Sequence, residues 1–336
     1  MATPIFWMIS DRSASGASFG AERGELTYWT SSQAGLDVFG HWEQQTAVDF
    51  QKSIVSVSNR FPKVVPGDHL DQSHVCLFVH GYNNSWVDAA RRYEKLCSQL
   101  FAGSNSLGIC ISFDWPSLGS VLGYLPDRDH ARDCARDLAD VLSALYDWLL
   151  DKQSAAAVNP DKACRAKVSL IAHSMGNYLL QKAMAAAWTR KNQPLLVSLI
   201  NQLLMVAADV DNDLFEAGAE DGSDGNAIAN LTYRVTALAS GRDEVLGMSA
   251  GLKHFGTRRL GRSGLAVRPP THTDNVWDVD CSSFFPADTP GKDIHSAYFE
   301  TAGTLTLMRQ ILRGVDRGVL EQTHQTVGNQ WPPAGG

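Results

Sequence analysis

A serine flanked by small residues is the feature of this chain best suited to chemistry. Ala172-His173-Ser174-Met175-Gly176 directly follows the apolar run 168–171 and precedes a helical pattern. A small-x-Ser-x-Gly string between a strand and a helix is typical of a nucleophile elbow. The turn is so tight that large flanking side chains would collide, which accounts for Ala172 and Gly176. The pattern therefore predicts that Ser174 is a nucleophile held beside the first N–H groups of a helix.

A serine hydroxyl is nearly inert at neutral pH, so Ser174 needs a base to accept its proton and a group to orient that base. In the order typical of this arrangement, the acid and then the histidine follow the serine along the chain. We predict His295 as the base, because a loop between the last predicted strand and the closing helix would bring it to the C-terminal edge of the sheet. His254 lies in a basic segment and His324 in a polar tail, so both are less suitable.

Two aspartates compete for the role of the acid. Asp243 follows the second predicted strand after the one that leads to Ser174, and it is the favoured residue. Asp209 follows the first such strand and stays open as the alternative acid. Asp243 could instead simply cap the helix that starts at Glu244.

The basic segment around His254, residues 253–268, is either a solvated surface or a region that steers an anionic substrate.

Attack of a serine on a carbonyl creates an oxyanion, which two backbone N–H groups can stabilise. We predict that Met175 supplies one N–H, because it directly follows the serine. Tyr82 should supply the other, from the His80-Gly81-Tyr82 turn after an earlier strand. His80, Trp115 and Tyr124 are candidates to line an apolar substrate pocket, although such residues more often pack a loop onto the core.

The elements that would position these residues follow an alternating order. From residue 75 onward, strand patterns alternate with helical patterns, which predicts crossover units and a mostly parallel sheet with helices on both faces. The clearest helix is 127–150, whose apolar residues recur every three or four positions. Segments 4–10, 25–30 and 53–57 are predicted as short strands of an antiparallel N-terminal edge. A closing helix is predicted at 298–315.

The chain length of 336 residues fits one large α/β domain. We predict that residues 1–70 are strands joining the sheet edge, that residues 71–315 form the core of the same domain, and that residues 316–336 are a loose tail. Hydrophobic residues make up 44% and charged residues 19% of the chain, which indicates a globular protein with a sizeable core.

Several classes of function are disfavoured by the sequence. The net charge of −7 argues against nucleic-acid binding. No apolar run is long enough for a membrane span, and no signal peptide is recognisable at the start, so a cytoplasmic location is expected. The six cysteines form no C-x-x-C motif, so we expect reduced cysteines and no metal. No G-x-G-x-x-G follows a strand, so no cofactor is expected.

Several motifs together resemble those of a known family. They are His80-Gly81-Tyr82-Asn83-Asn84, Phe113-Asp114-Trp115-Pro116-Ser117, the elbow at 172–177, Ser240-Gly241-Arg242-Asp243, and His295-Ser296. This set resembles a largely uncharacterised bacterial family of the α/β-hydrolase fold with an H-G-Y-N-N turn, and the resemblance covers about residues 4–315. It implies a triad of Ser174, Asp243 and His295. More distantly, the elbow is similar to that of bacterial lipases and esterases, with Ala172 replacing the more common glycine.

The sequence therefore predicts a serine hydrolase with an α/β-hydrolase fold. A carboxylesterase that acts on a small-molecule ester through an acyl-enzyme intermediate is the leading interpretation. A thioesterase, amidase or lactonase would use the same residues. A non-catalytic binding protein of the same fold is the alternative from another class. The oligomeric state is left open.

Overall fold

The computed structural model describes residues 5–63, 72–117, 124–190, 198–253, 256–268 and 273–324. The chain divides into two compact units, Met1–Leu170 and Ile171–Gly336. This division at residue 170 does not test the boundaries predicted from the sequence at residues 70 and 315, which stay predictions. No helix among the described residues is both long enough and apolar enough to cross a membrane.

The described residues include nine strands that belong to a mixed sheet. The strands are β1 Phe6–Ser15, β2 Ser18–Ser31, β3 Glu43–Gln45, β4 His74–Val79, β5 Gly108–Asp114, β6 Lys167–His173, β7 Ile200–Val206, β8 Thr232–Ala239 and β9 Val276–Asp280.

Helices connect most of these strands. They are α1 Ala47–Ser58, α2 Trp86–Leu100, α3 Tyr124–Val158, α4 Gly176–Arg190, α5 Gly222–Leu231, α6 Glu244–Met248, α7 Leu260–Ser263, α8 Gly291–Ala297, α9 Ala302–Arg313 and α10 Arg317–His324. Short 3₁₀ turns lie at Phe39–His41, Pro160–Lys162 and Ser282–Phe284, and a π turn lies at Ser249–Lys253.

In the first unit the strand order is β3-β2-β1-β5-β4-β6, and β6 continues into the second unit. β4 pairs in parallel with β5, and β5 in parallel with β1. β2 pairs antiparallel with both β1 and β3. β4 and β5 are almost entirely buried, as expected for parallel strands that are covered on both faces. The antiparallel N-terminal edge predicted from the sequence is confirmed.

The second unit continues the sheet in the order β6-β7-β8-β9. β7 pairs in parallel with β8, and β8 in parallel with β9. The sequence predicts strands at 203–208, 233–238 and 276–279, which overlap these three strands, and the parallel arrangement follows from the helices that separate them along the chain. The predicted parallel sheet with surrounding helices is therefore confirmed.

One prediction about an individual element is wrong. Residues 53–57 are expected to form a strand, but they lie inside α1, whose start is capped by the Thr46 side chain accepting a hydrogen bond from Asp49 N. The closing helix predicted at 298–315 corresponds to α9, which begins at Ala302 and ends at Arg313. The segment predicted as a loose tail includes α10, its residues 325–336 lie outside the described part of the chain, and its looseness stays a prediction.

A buried charged cluster supports the antiparallel edge of the first unit. The Arg12 Nε lies 3.0 Å from Asp114 Oδ1, and His80 Nε2 lies 3.1 Å from the same oxygen. Burial alone would raise the pKa of Asp114, but the Arg12 charge and the His80 contact outweigh it and hold the pKa below its usual value. The cluster joins the end of β5 to β1, because Ser10 Oγ also donates to Asp114.

Asp11 lies between Ser10 and Arg12 of this cluster along β1, and its side chain is buried. Burial raises the pKa of Asp11 to about 7, and the nearby carboxyls of Asp137 and Asp114 act in the same direction. The folded protein therefore keeps Asp11 protonated over a pH range in which the unfolded chain releases the proton, since an ordinary aspartate has a pKa of about 3.9. Asp11 consequently lowers stability as the pH rises from about 4 to 7.

We predict that Asp11→Asn stabilises the protein more at pH 8 than at pH 5. The amide of asparagine does not titrate, so the variant avoids the free-energy penalty of an ionised, buried Asp11. The difference in the free energy of unfolding between variant and wild type should therefore grow by roughly 2–3 kcal/mol between the two pH values. Urea unfolding at both pH values measures it, with the exposed Glu22→Gln as control. A pH-independent difference for Asp11→Asn would contradict the assigned origin of the shift.

Candidate active site

Ser174 occupies a sharp turn between β6 and α4. Its φ angle is 54°, in the left-handed region that serine rarely adopts. The turn is held by backbone hydrogen bonds, since Ser174 N donates to Val206 O at 3.0 Å and Asp209 N donates to Ser174 O at 3.2 Å. A non-glycine residue kept in this region by its surroundings is typical of functional sites. The turn has the sharp strand-to-helix shape that the sequence predicts, and the role of Ser174 as a nucleophile stays a prediction.

Asn177 supports the turn from the first residues of α4. Its Nδ2 donates to Ala172 O at 3.0 Å, to Ser174 O at 3.2 Å and to Val206 O at 3.4 Å. The side chain is fully buried. The motifs in the sequence assign no role to Asn177, although an asparagine at the start of a helix is a recognisable signal for side-chain bonding to nearby backbone.

The side chains of Ser174, His295 and Asp243 form a continuous chain of hydrogen bonds. His295 Nε2 lies 2.8 Å from Ser174 Oγ, and His295 Nδ1 lies 2.7 Å from Asp243 Oδ2. All three residues are buried, with exposed fractions of 4% for Ser174, 9% for His295 and 0% for Asp243. A carboxylate can only accept, so Nδ1 carries the proton in this bond and the lone pair of Nε2 faces the serine hydroxyl.

Asp243 uses its two carboxylate oxygens for different partners. Oδ2 faces His295, whereas Oδ1 accepts a hydrogen bond from Leu246 N at 3.0 Å and caps α6. The capping role and the role beside a histidine, which were alternatives at the level of sequence, are therefore compatible. The cap fixes the carboxylate plane and so directs Oδ2. The backbone of Asp243 is held as well, because Arg262 Nη1 donates to its carbonyl oxygen.

His295 lies on α8 rather than in the expected loop. His173, the residue before Ser174, holds this helix in place, because its Nε2 lies 2.8 Å from His295 O. The centroids of the two imidazole rings are 4.9 Å apart, and the ring of Phe299 packs on His173. His173 was not singled out from the sequence, where it is only the variable position before the serine.

The alternative acid, Asp209, is occupied elsewhere. Its Oδ1 accepts from Arg259 Nε at 2.9 Å and from Ser249 Oγ at 2.9 Å. Arg259 is fully buried and also pairs with Asp211. Arg259, a residue of the basic segment 253–268, is therefore not exposed to solvent, and its guanidinium pairs with Asp209 and Asp211 instead of a substrate. Gly261 allows the segment to approach β7, because a side chain there would collide with the backbone of 207–208.

The remaining predicted site residues lie in the first unit. In the turn after β4, Asn83 has a φ angle of 60° and Asn84 Nδ2 donates to Gly81 O at 2.8 Å and to Tyr82 O at 3.0 Å. The ring of Tyr82 contacts that of Tyr124 edge-on, at 5.5 Å between centroids. The backbone around Tyr82 is thus well fixed. Its predicted role as an N–H donor stays a prediction.

Two of the pocket candidates pack against each other. Trp115 stacks on His80 with 5.4 Å between ring centroids, and its Nε1 donates to His80 O at 2.8 Å. Both side chains are fully buried, and so is nearly all of Tyr124. These contacts give the three residues a structural task, and their substrate role stays a prediction.

No cluster of three potential metal ligands occurs among the described residues. The six cysteines are free, and all but Cys164 are buried. Of the other histidines considered from the sequence, His254 lies outside the described residues.

The chain matches a family model described as "Alpha/beta hydrolase of unknown function (DUF900)" over residues 67–311, which is more than half of its length. The chain belongs to this α/β-hydrolase family. The fold class predicted from the sequence is thereby confirmed. No curated protein matches the chain.

Solved structures of hydrolases are similar to the chain at low identity. Carboxyl esterase 2 from Tuber melanosporum is 11% identical, with 72% of this chain and 77% of that chain covered and a TM-score of 0.37. An esterase from Pyrobaculum calidifontis is 11% identical, with 79% of this chain and 91% of that chain covered and a TM-score of 0.34. Phospholipase PlaB from Legionella pneumophila is 14% identical, with 75% of this chain and 63% of that chain covered and a TM-score of 0.39.

We predict that Arg259→Met destabilises the protein by about 3–5 kcal/mol, because it leaves Asp209 buried without its partner charge. Adding Asp209→Asn should recover part of the loss, since the uncompensated charge is then removed. Urea unfolding of the two single variants and the double variant measures the coupling. The exposed neighbour provides the control Arg258→Met, which should change stability by less than about 0.5 kcal/mol. Equal losses for Arg258→Met and Arg259→Met would contradict the pairing.

Proposed function

We propose that this protein is a serine hydrolase that cleaves carboxylic esters through an acyl-enzyme intermediate. The observation that supports it is the hydrogen-bonded series Ser174 Oγ, His295 and Asp243, with Ser174 on a strained turn at the start of a helix. Each part answers a chemical need. The serine supplies the nucleophile, the imidazole accepts its proton, and the carboxylate fixes the tautomer and stabilises the imidazolium that forms.

In the first half-reaction, Ser174 Oγ attacks the carbonyl carbon of the ester while His295 Nε2 takes the hydroxyl proton. The tetrahedral intermediate carries its negative charge on the former carbonyl oxygen. Met175 N–H, directly after the serine and ahead of the first turn of α4, is the proposed donor to that oxygen. Tyr82 N–H, predicted from the sequence, completes the proposal as second donor. The intermediate collapses when His295 returns the proton to the leaving alcohol, which leaves Ser174 acylated.

In the second half-reaction, water replaces the alcohol. His295 Nε2 takes a proton from water as the water oxygen attacks the acyl carbon, and the same proton returns to Ser174 Oγ as the carboxylic acid leaves. The reaction needs no metal or redox group, because every proton and electron pair is exchanged between substrate, water and these side chains. Thioesters and amides would follow the same path with a thiol or an amine as leaving group.

We predict that Ser174→Ala abolishes hydrolysis of short p-nitrophenyl esters, with kcat/KM reduced by at least about 10⁴-fold, since the nucleophile is lost. The measurement is initial rates over a panel of esters and thioesters that vary in acyl length. Ser198→Ala, at an exposed serine of the same unit, is the control and should leave the rates unchanged.

Equal rates for wild type and Ser174→Ala would contradict the proposal. That result would instead favour the non-catalytic binding protein as the function of this fold. Turnover of thioesters but not of oxygen esters, if it depends on Ser174, would keep the nucleophile and change the substrate class.

We predict that Asp243→Asn lowers kcat at neutral pH by about 10³- to 10⁴-fold, because an amide in place of the carboxylate favours the wrong tautomer of His295. Asp209→Asn tests the alternative acid. It should lower the temperature of unfolding, since it weakens the contact with Arg259, while kcat stays within about threefold at a temperature where the variant is folded. A larger loss of kcat for Asp209→Asn than for Asp243→Asn would reverse the assignment.

A further inference from the structure

The guanidinium of Arg242 lies within a ring of carbonyl oxygens from a single loop. The loop is residues 281–290, which connect β9 to α8. Arg242 Nη1 and Nη2 together donate to five of its carbonyl oxygens, those of Ser282 at 3.4 Å, Phe285 at 3.0 Å, Pro286 at 2.8 Å, Ala287 at 3.1 Å and Thr289 at 3.1 Å.

The loop has backbone hydrogen bonds of its own, from Phe284 N to Cys281 O and from Thr289 N to Pro286 O, both at 3.0 Å. Pro286 and Pro290 have no N–H to donate, and the carbonyls that turn inward need a donor. The guanidinium is suited to this task, because it presents five N–H donors in a fixed plane and always carries a charge. Hydrogen bonds from a charged donor are also stronger than those between neutral groups. Arg242 thus adds contacts to five carbonyl oxygens of the loop beyond these backbone bonds.

We call the hydrogen bonds between Arg242 and loop 281–290 the clamp. The clamp joins the segment that carries Asp243 to the segment that carries His295. Arg242 directly precedes Asp243, and the loop directly precedes α8, which carries His295. Further bonds run between the same two segments, since Ser240 Oγ lies 3.0 Å from Ser282 Oγ and Gly241 N donates to that oxygen at 3.2 Å. Any displacement of the loop would therefore change the distance between His295 Nδ1 and the carboxylate of Asp243.

We propose that Arg242 is a positioning residue, which holds His295 in line between Asp243 and Ser174 by fixing loop 281–290. This role rests on the proposed function for its effect on turnover. Arg242 acts through the loop and α8, and it exchanges no proton with the substrate. The expected effect is therefore on kcat rather than on KM.

The test compares Arg242→Ala and Arg242→Lys with a matched control. Arg234→Ala is that control, because Arg234 is another half-buried arginine of the same unit that donates to a loop carbonyl, Val315 O at 2.8 Å, outside the site. Both Arg242 variants should lose about tenfold to a hundredfold in kcat with KM changed by less than about threefold, because misplacement of a catalytic group by about 1 Å has effects of this size. Lysine keeps the charge but lacks the planar fork, so it should not restore the rate.

Chemical rescue separates positioning from general damage to the fold. Guanidinium ion at a concentration below that which unfolds the protein should raise kcat of Arg242→Ala at least severalfold, and it should leave wild type and Arg234→Ala unchanged. Wild-type kcat in Arg242→Lys, or an unchanged kcat in Arg242→Ala, would overturn the proposal. So would a loss in Arg242→Ala that guanidinium fails to restore and that Arg234→Ala shares.

A readout without turnover distinguishes failure of this proposal from failure of the proposed function. The proton on His295 Nδ1 should give a downfield ¹H NMR resonance, assigned by its absence in His295→Gln. Arg242→Ala should broaden or lose this resonance, and Arg234→Ala should retain it. If wild type shows no Ser174-dependent turnover but the resonance responds in this way, the proposed function fails and the clamp stands. If the resonance is unaltered in Arg242→Ala, the clamp fails.

Discussion

The hydrogen bond between His295 Nδ1 and Asp243 Oδ2 is the interaction on which the proposed chemistry depends. At 2.7 Å it holds the imidazole in one orientation, so that Nε2 meets Ser174 Oγ at 2.8 Å. Without it the ring could rotate or take the other tautomer, and the serine would face an N–H instead of a lone pair. Most of the local structure of the second unit can be understood as support for this one contact.

That support comes from elements far apart along the chain. The helix cap at Leu246 N directs the carboxylate, His173 holds the backbone of His295, and Asn177 fixes the turn that carries Ser174. Each of these bonds uses a backbone group as one partner, so the geometry is set by main-chain positions that move little. Arginines complete the arrangement, because Arg262 holds the Asp243 carbonyl and Arg259 occupies the competing Asp209.

The sequence predicts the parallel core well, because apolar runs separated by long helical patterns leave few alternatives to crossover connections. It fails at residues 53–57, Ser-Ile-Val-Ser-Val, where three β-branched residues out of five favour a strand. The Thr46 cap and Asp49, several residues earlier, start a helix that continues through them. Short β-branched runs are ambiguous in this way, since periodicity over five residues cannot separate the two structures.

For the candidate site, chain order and position after the strands were enough to favour Asp243 and His295. They were not enough to show what Asp209 does, because its partner Arg259 is 50 residues away and the basic segment around it looks solvated from its composition. The roles of His173 and Arg242 were also hidden, since both act on backbone carbonyls of segments distant in sequence. Such pairings depend on how loops pack, which local patterns do not encode.

Reaction with a fluorophosphonate probe, followed by peptide mapping, measures whether Ser174 is an activated nucleophile. An activated serine attacks phosphorus as it would a carbonyl carbon, and the adduct is stable enough to locate by mass. We expect one adduct in the folded protein, on the peptide that contains Ser174, with much slower formation in His295→Gln and none after heat denaturation. Folded wild-type protein in which Ser174 stays unmodified would contradict this expectation.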